Sequence, residues 1–181
     1  MKPFLLALAV AAPLSIVDAR EPARPRTAPG VVSAADPRAA AAGVEILRAG
    51  GSATDAAIAT MLALGVVEPQ SSGMAGGSFW IRHDAKGRLS TIDARETAPM
   101  AATPRWFYTA EGKPLSHREA VPGGRSVGVP GALRGMALAH AEGGRLPWAR
   151  LFQPAIRLAR DGWRLQPRFV GQFTRYGGHL S

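Results

Sequence analysis

The sequence predicts an α+β fold, or a layered αββα sandwich. Helix-spaced segments lie on either side of one pair of strand candidates, that pair is short enough to be an antiparallel hairpin, and nowhere do strand and helix alternate as a doubly wound sheet requires. The chain has 181 residues, of which 46% are hydrophobic and 19% charged. That composition suits about one globular domain with a sizeable core.

The N-terminus differs in kind from the rest. Met1 and Lys2 precede an apolar run over residues 4–14, and Val17-Asp18-Ala19 offers the small residue that a signal peptidase needs. A charged start, a short apolar stretch and a small exit residue predict a secretory signal over residues 1–19. The run is too short to span a bilayer as a mature helix, so no membrane span is expected after its removal. Export is therefore expected, to the periplasm or the medium. Residues 20–29, rich in proline and arginine, read as an extended linker, and residues 30–181 as the domain. The chain has no cysteine, which excludes a disulfide framework, a thiolate nucleophile and a cysteine zinc site.

Within the domain, residues 30–33 form a strand candidate. Asp36 and Pro37 then open a helix as N-cap and first helical residue, with Ala40, Val44 and Leu47 on one face and a stop at Gly50-Gly51. Ser52 stands three residues before Asp55, the spacing of a capping box, and residues 53–64 are apolar nearly all round, so this helix should be buried. A glycine-rich turn over residues 71–77 leads into strand candidates at 78–83 and 88–93, joined by a turn at Asp84–Gly87. Residues 94–126 read as mixed and loop-rich, with glycine and proline at 112, 114 and 122–124. Pro130 should open a helix ending near Gly143-Gly144. Pro147 should open another, with Trp148, Leu151, Phe152, Ala155, Ile156 and Ala159 at helical spacing; Pro154 should break or kink it, and Gly162 should close it. Residues 176–181 carry no closing element, and one hairpin with four helices cannot cover its own edges, so an unfinished fold is expected.

The usual catalytic patterns are missing. His83, His117, His140 and His179 are far apart with no His-Glu-x-x-His spacing, so no metal is expected. Gly-Arg-Ser-Val-Gly at 124–128 has the Gly-x-Ser-x-Gly spacing, but no strand candidate leads into it, so no nucleophile elbow is expected; there is no Walker lysine, and Gly73, Gly76 and Gly77 precede a strand where a phosphate loop would follow one. Ser71, Ser72 and Ser78 suit turns that bond to local backbone. The formal charge is +9, and seven arginines lie between Arg145 and Arg175 against Asp161 as the only acid there. No nucleic-acid motif accompanies that charge, and an exported chain rarely meets nucleic acid, so a solvated or acid-matched face is the reading. The densest polar cluster is Asp93-Ala94-Arg95-Glu96-Thr97, directly after a strand. A guanidinium there can meet a ligand carboxylate through two parallel hydrogen bonds, or pair internally with Asp93 or another acid.

Several long blocks in order carry a resemblance. Gly-Val-Val-Ser-Ala-Ala-Asp-Pro (30–37), Ile-Leu-Arg-Ala-Gly-Gly-Ser-Ala-Thr-Asp-Ala-Ala (46–57) and Leu-Gly-Val-Val-Glu-Pro-Gln-Ser-Ser-Gly (64–73) resemble the start of a γ-glutamyltransferase (glutathione hydrolase). So do Asp-Ala-Arg-Glu-Thr-Ala-Pro (93–99), Val-Gly-Val-Pro-Gly (127–131) and the block over residues 145–162. The resemblance implies an N-terminal-nucleophile hydrolase with an αββα sandwich, incomplete in this chain. It implies a precursor that cuts itself, so that a threonine heads a small subunit and attacks the γ-glutamyl amide of glutathione, with no cofactor or metal. It also implies that Arg95 grips the α-carboxylate of the γ-glutamyl group, while Glu96 and Thr97 support the loop.

The chain departs from the family pattern in two ways. A further family glycine is replaced at Ala75 or Ser78. None of the threonines, at 27, 54, 60, 91, 97, 103, 109 and 174, stands in the family's nucleophile context, so no catalytic residue is expected in this chain and the chain alone should be inactive. The expected partners are glutathione and other γ-glutamyl compounds, and the small subunit of the same precursor. Two other readings remain open: a related cephalosporin-type acylase, and an inactive cationic binding fragment.

Overall fold

The computed structural model describes residues 30–176, so the expected signal, the linker and the tail at 177–181 lie outside the described residues. The chain runs α1 (Pro37–Arg48), α2 (Ala53–Val67), β1 (Ser78–His83), β2 (Leu89–Ala94), α3 (His117–Ala120), a 3-10 turn (Gly124–Ser126), α4 (Ala132–Gly143), α5 (Trp148–Asp161) and α6 (Pro167–Tyr176). The α+β class holds. A two-stranded antiparallel sheet lies against a layer of helices, and the core sits between α1, α2, α4 and α5.

Asp36 caps α1 by accepting from Arg38 N at 2.8 Å, and Pro37 supplies a first residue whose missing N–H needs no partner. The buried face of α1 is Ala39, Ala42, Gly43 and Ile46, one position before the expected stripe of Ala40, Val44 and Leu47. Close approach decides the matter: a Cβ on Gly43 would lie 3.2 Å from the Ala56 carbonyl and would overlap Thr60 Oγ1. The helix therefore presents Ala39, Ala42 and Gly43 to α2 together with Ile46, and leaves Val44 and Leu47 only partly buried. α2 is buried almost all round as expected, and it runs one turn past the expected end, to Val67.

The capping box that opens α2 ties distant parts of the chain together. Ser52 N donates to Asp55 Oδ2 at 2.8 Å and Asp55 N to Ser52 Oγ at 3.0 Å. The same Oδ2 accepts Arg145 N at 2.9 Å and Leu146 N at 3.2 Å, which fixes the entry to α5. Burial raises the Asp55 pKa, but these N–H groups outweigh it and hold the carboxyl below its ordinary value.

The strands pair from Ser78↔Ala94 to His83↔Leu89. At the hairpin turn Asp84 accepts Lys86 N, Arg88 N and Arg88 Nε at 2.8–2.9 Å, and the Arg88 guanidinium and these N–H groups hold its pKa at about 2. Trp80, Arg82, Ser90, Ile92 and Ala94 face the helices; Phe79, Ile81 and Leu89 face outward.

Elsewhere the structure departs from the sequence reading or refines it. Residues 30–33 form no strand, because among the described residues no edge pairs with them. The mixed, loop-rich stretch at 94–126 contains α3 and the 3-10 turn, both too short to show a period in sequence. Of the break or kink expected at Pro154, the break does not occur, and α5 runs on through it to Asp161. The N–H···O hydrogen bond that proline cannot make is offset by burial of Leu151, Pro154 and Ala155. Finally, α6 was not expected. It is tied back by Arg168 to the buried Glu68 at 3.5 Å, and by Trp163, which lies under the Arg38 guanidinium and meets Phe169 edge-on.

Candidate functional site

Arg95 is the first residue after β2, where the sheet ends and the chain enters an irregular stretch. Its backbone is held from several sides. Arg95 N donates to Asp93 Oδ1 at 3.0 Å. Two residues on, Thr97 and Val129 exchange backbone hydrogen bonds of 3.3 and 2.8 Å, an isolated antiparallel bridge. Gly131 N and Ala132 N donate to Gly76 O at 3.1 and 3.0 Å, which pins the start of α4 to the glycine turn.

Glycines make this arrangement possible because a side chain would occupy the space where backbone meets backbone. A Cβ on Gly77 would lie 2.8 Å from Arg95 Cα and 2.9 Å from Glu96 N. A Cβ on Gly131 would lie 2.8 Å from Arg95 O, and one on Gly128 would lie 2.7 Å from Glu96 Cβ. Real Cβ atoms essentially never sit so close. The glycine-rich turn and the Val-Gly-Val-Pro-Gly block thus serve one purpose: both press closely on the Ala94–Glu96 segment and clamp it. The close approach is made by Gly77, so Ala75 and Ser78 do not hinder it; Ser78 Oγ instead accepts from Trp80 Nε1 at 3.1 Å.

The Arg95 side chain remains 61% exposed, and its nearest acid is Glu96, with Nη1 to Oε2 at 3.3 Å. That Oε2 is itself hidden from solvent and accepts no well-formed hydrogen bond among the described residues. At that distance the two form an ion pair without a well-formed hydrogen bond, so the contact is loose. Of the two alternatives for Arg95, the internal pair exists but leaves most of the guanidinium accessible. Asp93 bonds the Arg95 backbone rather than its guanidinium.

Arg95 opens onto a cleft of about 490 Å³, lined also by Pro99, Trp106, Phe107, Arg125 and Val127. Sequence reasoning missed Trp106 and Arg125, which lie in the stretch read as loop-rich. No periodicity marks them, since backbone bridges rather than a helix or strand bring them to Arg95. A smaller cavity of about 170 Å³ beneath the hairpin is lined mainly by small and apolar residues around Trp80 and does not include Arg95. Among the described residues no group of three His, Cys, Asp or Glu side chains could hold a metal ion.

A family model described as gamma-glutamyltranspeptidase matches residues 39–181. The chain belongs to this family. It is 54% identical over 142 residues to Scoloptoxin SSD14 of Scolopendra dehaani, an alignment covering 78% of this chain and 24% of that protein. It is 46% identical over 140 residues to Glutathione hydrolase 3 of Arabidopsis thaliana, covering 76% of this chain and 21% of that one. Among solved structures, the γ-glutamyltranspeptidase of Helicobacter pylori superimposes with a TM-score of 0.78 at 32% identity, over 83% of this chain and 43% of that chain. The α+β fold is thus that of the N-terminal-nucleophile hydrolases of this family. The chain spans about a quarter or less of the length of these curated relatives.

Proposed function

We propose that this chain is the γ-glutamyl-binding part of an exported γ-glutamyltransferase, an enzyme that hydrolyses or transfers the γ-glutamyl group of glutathione. The observation that carries the reading is Arg95: a 61% exposed guanidinium on a glycine-clamped backbone, opening onto a cleft. Such a group suits the α-carboxylate of a γ-glutamyl donor, because the clamp fixes its position while its fork stays available.

In this reading the bond-breaking residue comes from a small subunit of the same self-cleaved precursor. Its N-terminal threonine hydroxyl attacks the γ-amide carbon, and its own freed α-amine takes the proton. The peptide amine leaves with that proton, and water or an acceptor amine then takes the γ-glutamyl group from the threonine ester. Arg95 contributes by anchoring the donor so that the amide meets the threonine. Two features support a partner subunit. None of the chain's threonines stands in the family's nucleophile context. The outer face of the hairpin also shows Phe79, Ile81 and Leu89 at 68%, 79% and 67% exposure, the apolar side of a sheet that a second layer would cover in a sandwich.

The test is steady-state kinetics of the assembled enzyme carrying Arg95→Lys. Charged hydrogen bonds of this type are worth about 1.5–3 kcal/mol, so KM should rise about 10- to 150-fold with a smaller change in kcat. An unchanged KM would remove Arg95 from the site and favour an acylase acting on a donor without that carboxylate. The purified chain alone should release no glutamate from γ-glutamyl substrates, and steady release would place the nucleophile within these residues.

A further inference from the structure

We propose that Arg125 is a second carboxylate contact of the same cleft, selecting γ-glutamyl donors whose leaving group ends in a free carboxylate. The inference rests on the reading of Arg95 above and extends it to the far end of the substrate.

Arg125 is distant from Arg95 in sequence, yet its loop is fastened directly to the Arg95 strand. The Thr97–Val129 bridge joins the two segments, and Gly128 packs on Glu96. The loop is also locked within itself. Trp106 Nε1 donates to Arg125 O at 2.8 Å, and Ser126 Oγ lies 2.7 and 3.0 Å from the carbonyls of Val121 and Gly123. Gly123, at φ 95°, supplies a left-handed residue that only glycine adopts freely. A loop built in this way holds its arginine in place before any ligand arrives.

The guanidinium is oriented as well as placed. Nη1 lies 3.5 Å from the carbonyls of both Trp106 and Tyr108, while among the described residues no acceptor meets Nε or Nη2. Those two nitrogens form the edge that grips a carboxylate through two parallel bonds. Charge balance points the same way. The cleft is lined by two arginines and one carboxylate, that of Glu96, so a ligand anionic at both ends matches it. Trp106 and Phe107 add an apolar wall for the portion between. A γ-glutamyl peptide has this pattern, with an α-carboxylate on the γ-glutamyl group and another at the C-terminus.

The experiment compares a γ-glutamyl dipeptide with its C-terminal amide as donors for the assembled enzyme. The unmodified enzyme should prefer the free acid by about tenfold in kcat/KM. That preference should shrink as salt is raised, because exposed charge pairs are screened. Arg125→Gln should bring the acid-to-amide ratio to about one, and Arg125→Lys should keep part of it. Equal rates in the unmodified enzyme would overturn the proposal whether or not the variants fold. A ratio retained in Arg125→Gln would also overturn it, and would leave Arg125 only the role of holding its loop. Arg95→Lys separates the two readings, since it should raise KM for acid and amide alike. If it raises neither, the reading of the cleft fails; if it raises both while the ratio survives in Arg125→Gln, only the present inference fails.

Discussion

The helical layer and the segment from Arg95 to Gly131 are built on opposite principles. In the helices, Ile46, Ile58, Leu62, Met136 and Leu151 are nearly or fully buried, and side-chain packing holds α1, α2, α4 and α5 together. In the segment, most side chains are at least partly exposed, and backbone contacts hold the chain: the Thr97–Val129 bridge, the Tyr108–Pro114 bridge and the Gly76 carbonyl at the start of α4. Packing consumes side chains, whereas backbone pairing leaves them free. The difference explains why the candidate ligand contacts, Arg95 and Arg125, both belong to the segment. It also sets how each region should fail when altered.

Asp55→Ala should cause the largest loss and fall on the helical side. The carboxylate is fully buried and accepts the N–H groups of Ser52, Arg145 and Leu146, so removing it strands three donors and frees the entry to α5. Urea unfolding should show a loss of about 3 kcal/mol. The pH dependence has a definite sign. Because the folded pKa of Asp55 lies below its ordinary value, its contribution is present above that ordinary value. The contribution falls away as pH drops through the folded pKa. The acid side of the stability profile should therefore be flatter in Asp55→Ala than in the unmodified protein. A profile of unchanged shape would mean that the aspartate is not the tie between α2 and α5.

How much of this was legible in the sequence follows the same division. Capping signals at Asp36-Pro37 and Ser52–Asp55 and the turns at 71–77 and Asp84–Gly87 revealed α1, α2 and both strands, because each depends on local chemistry. The face of α1 was misread because contact through Gly43 depends on what α2 brings to it. The helix α6 was missed because its tether, Arg168 to Glu68, joins residues a hundred positions apart. Arg95 was visible through the strand end and the family resemblance. Arg125 was not, because its position beside Arg95 is created by the Val129 bridge, and an isolated bridge leaves no period in a sequence.

Gly131→Ala probes the clamp and should have an intermediate effect. Its Cβ would lie 2.8 Å from the Arg95 carbonyl, and a rigid backbone can yield only by moving the Arg95 segment or the start of α4. Overpacking of this kind costs about 2 kcal/mol. The kinetic effect should exceed what that loss of stability alone would give, with KM rising because the guanidinium is displaced. Stability falling while KM holds would mean that the clamp serves the fold and not the arginine.

Ile81→Ser should have the smallest effect on the described chain, and it tests the hairpin rather than the cleft. Ile81 is 79% exposed on the outer face of β1, so in this chain its replacement should change stability by less than about 0.5 kcal/mol. In the assembled enzyme the expectation is different. If a second layer covers the sheet, Ile81 becomes core there and the same substitution should cost about 1.5–3 kcal/mol. The gap between the two values is the quantity to measure, by denaturant unfolding of each form. A wide gap would mean that the hairpin, like the helices, is a packing element whose partner lies elsewhere, so that only the segment from Arg95 to Gly131 keeps its side chains free for ligands. No gap would mean that the apolar outer face stays in solvent, and the case for a covering layer would then rest on family membership alone.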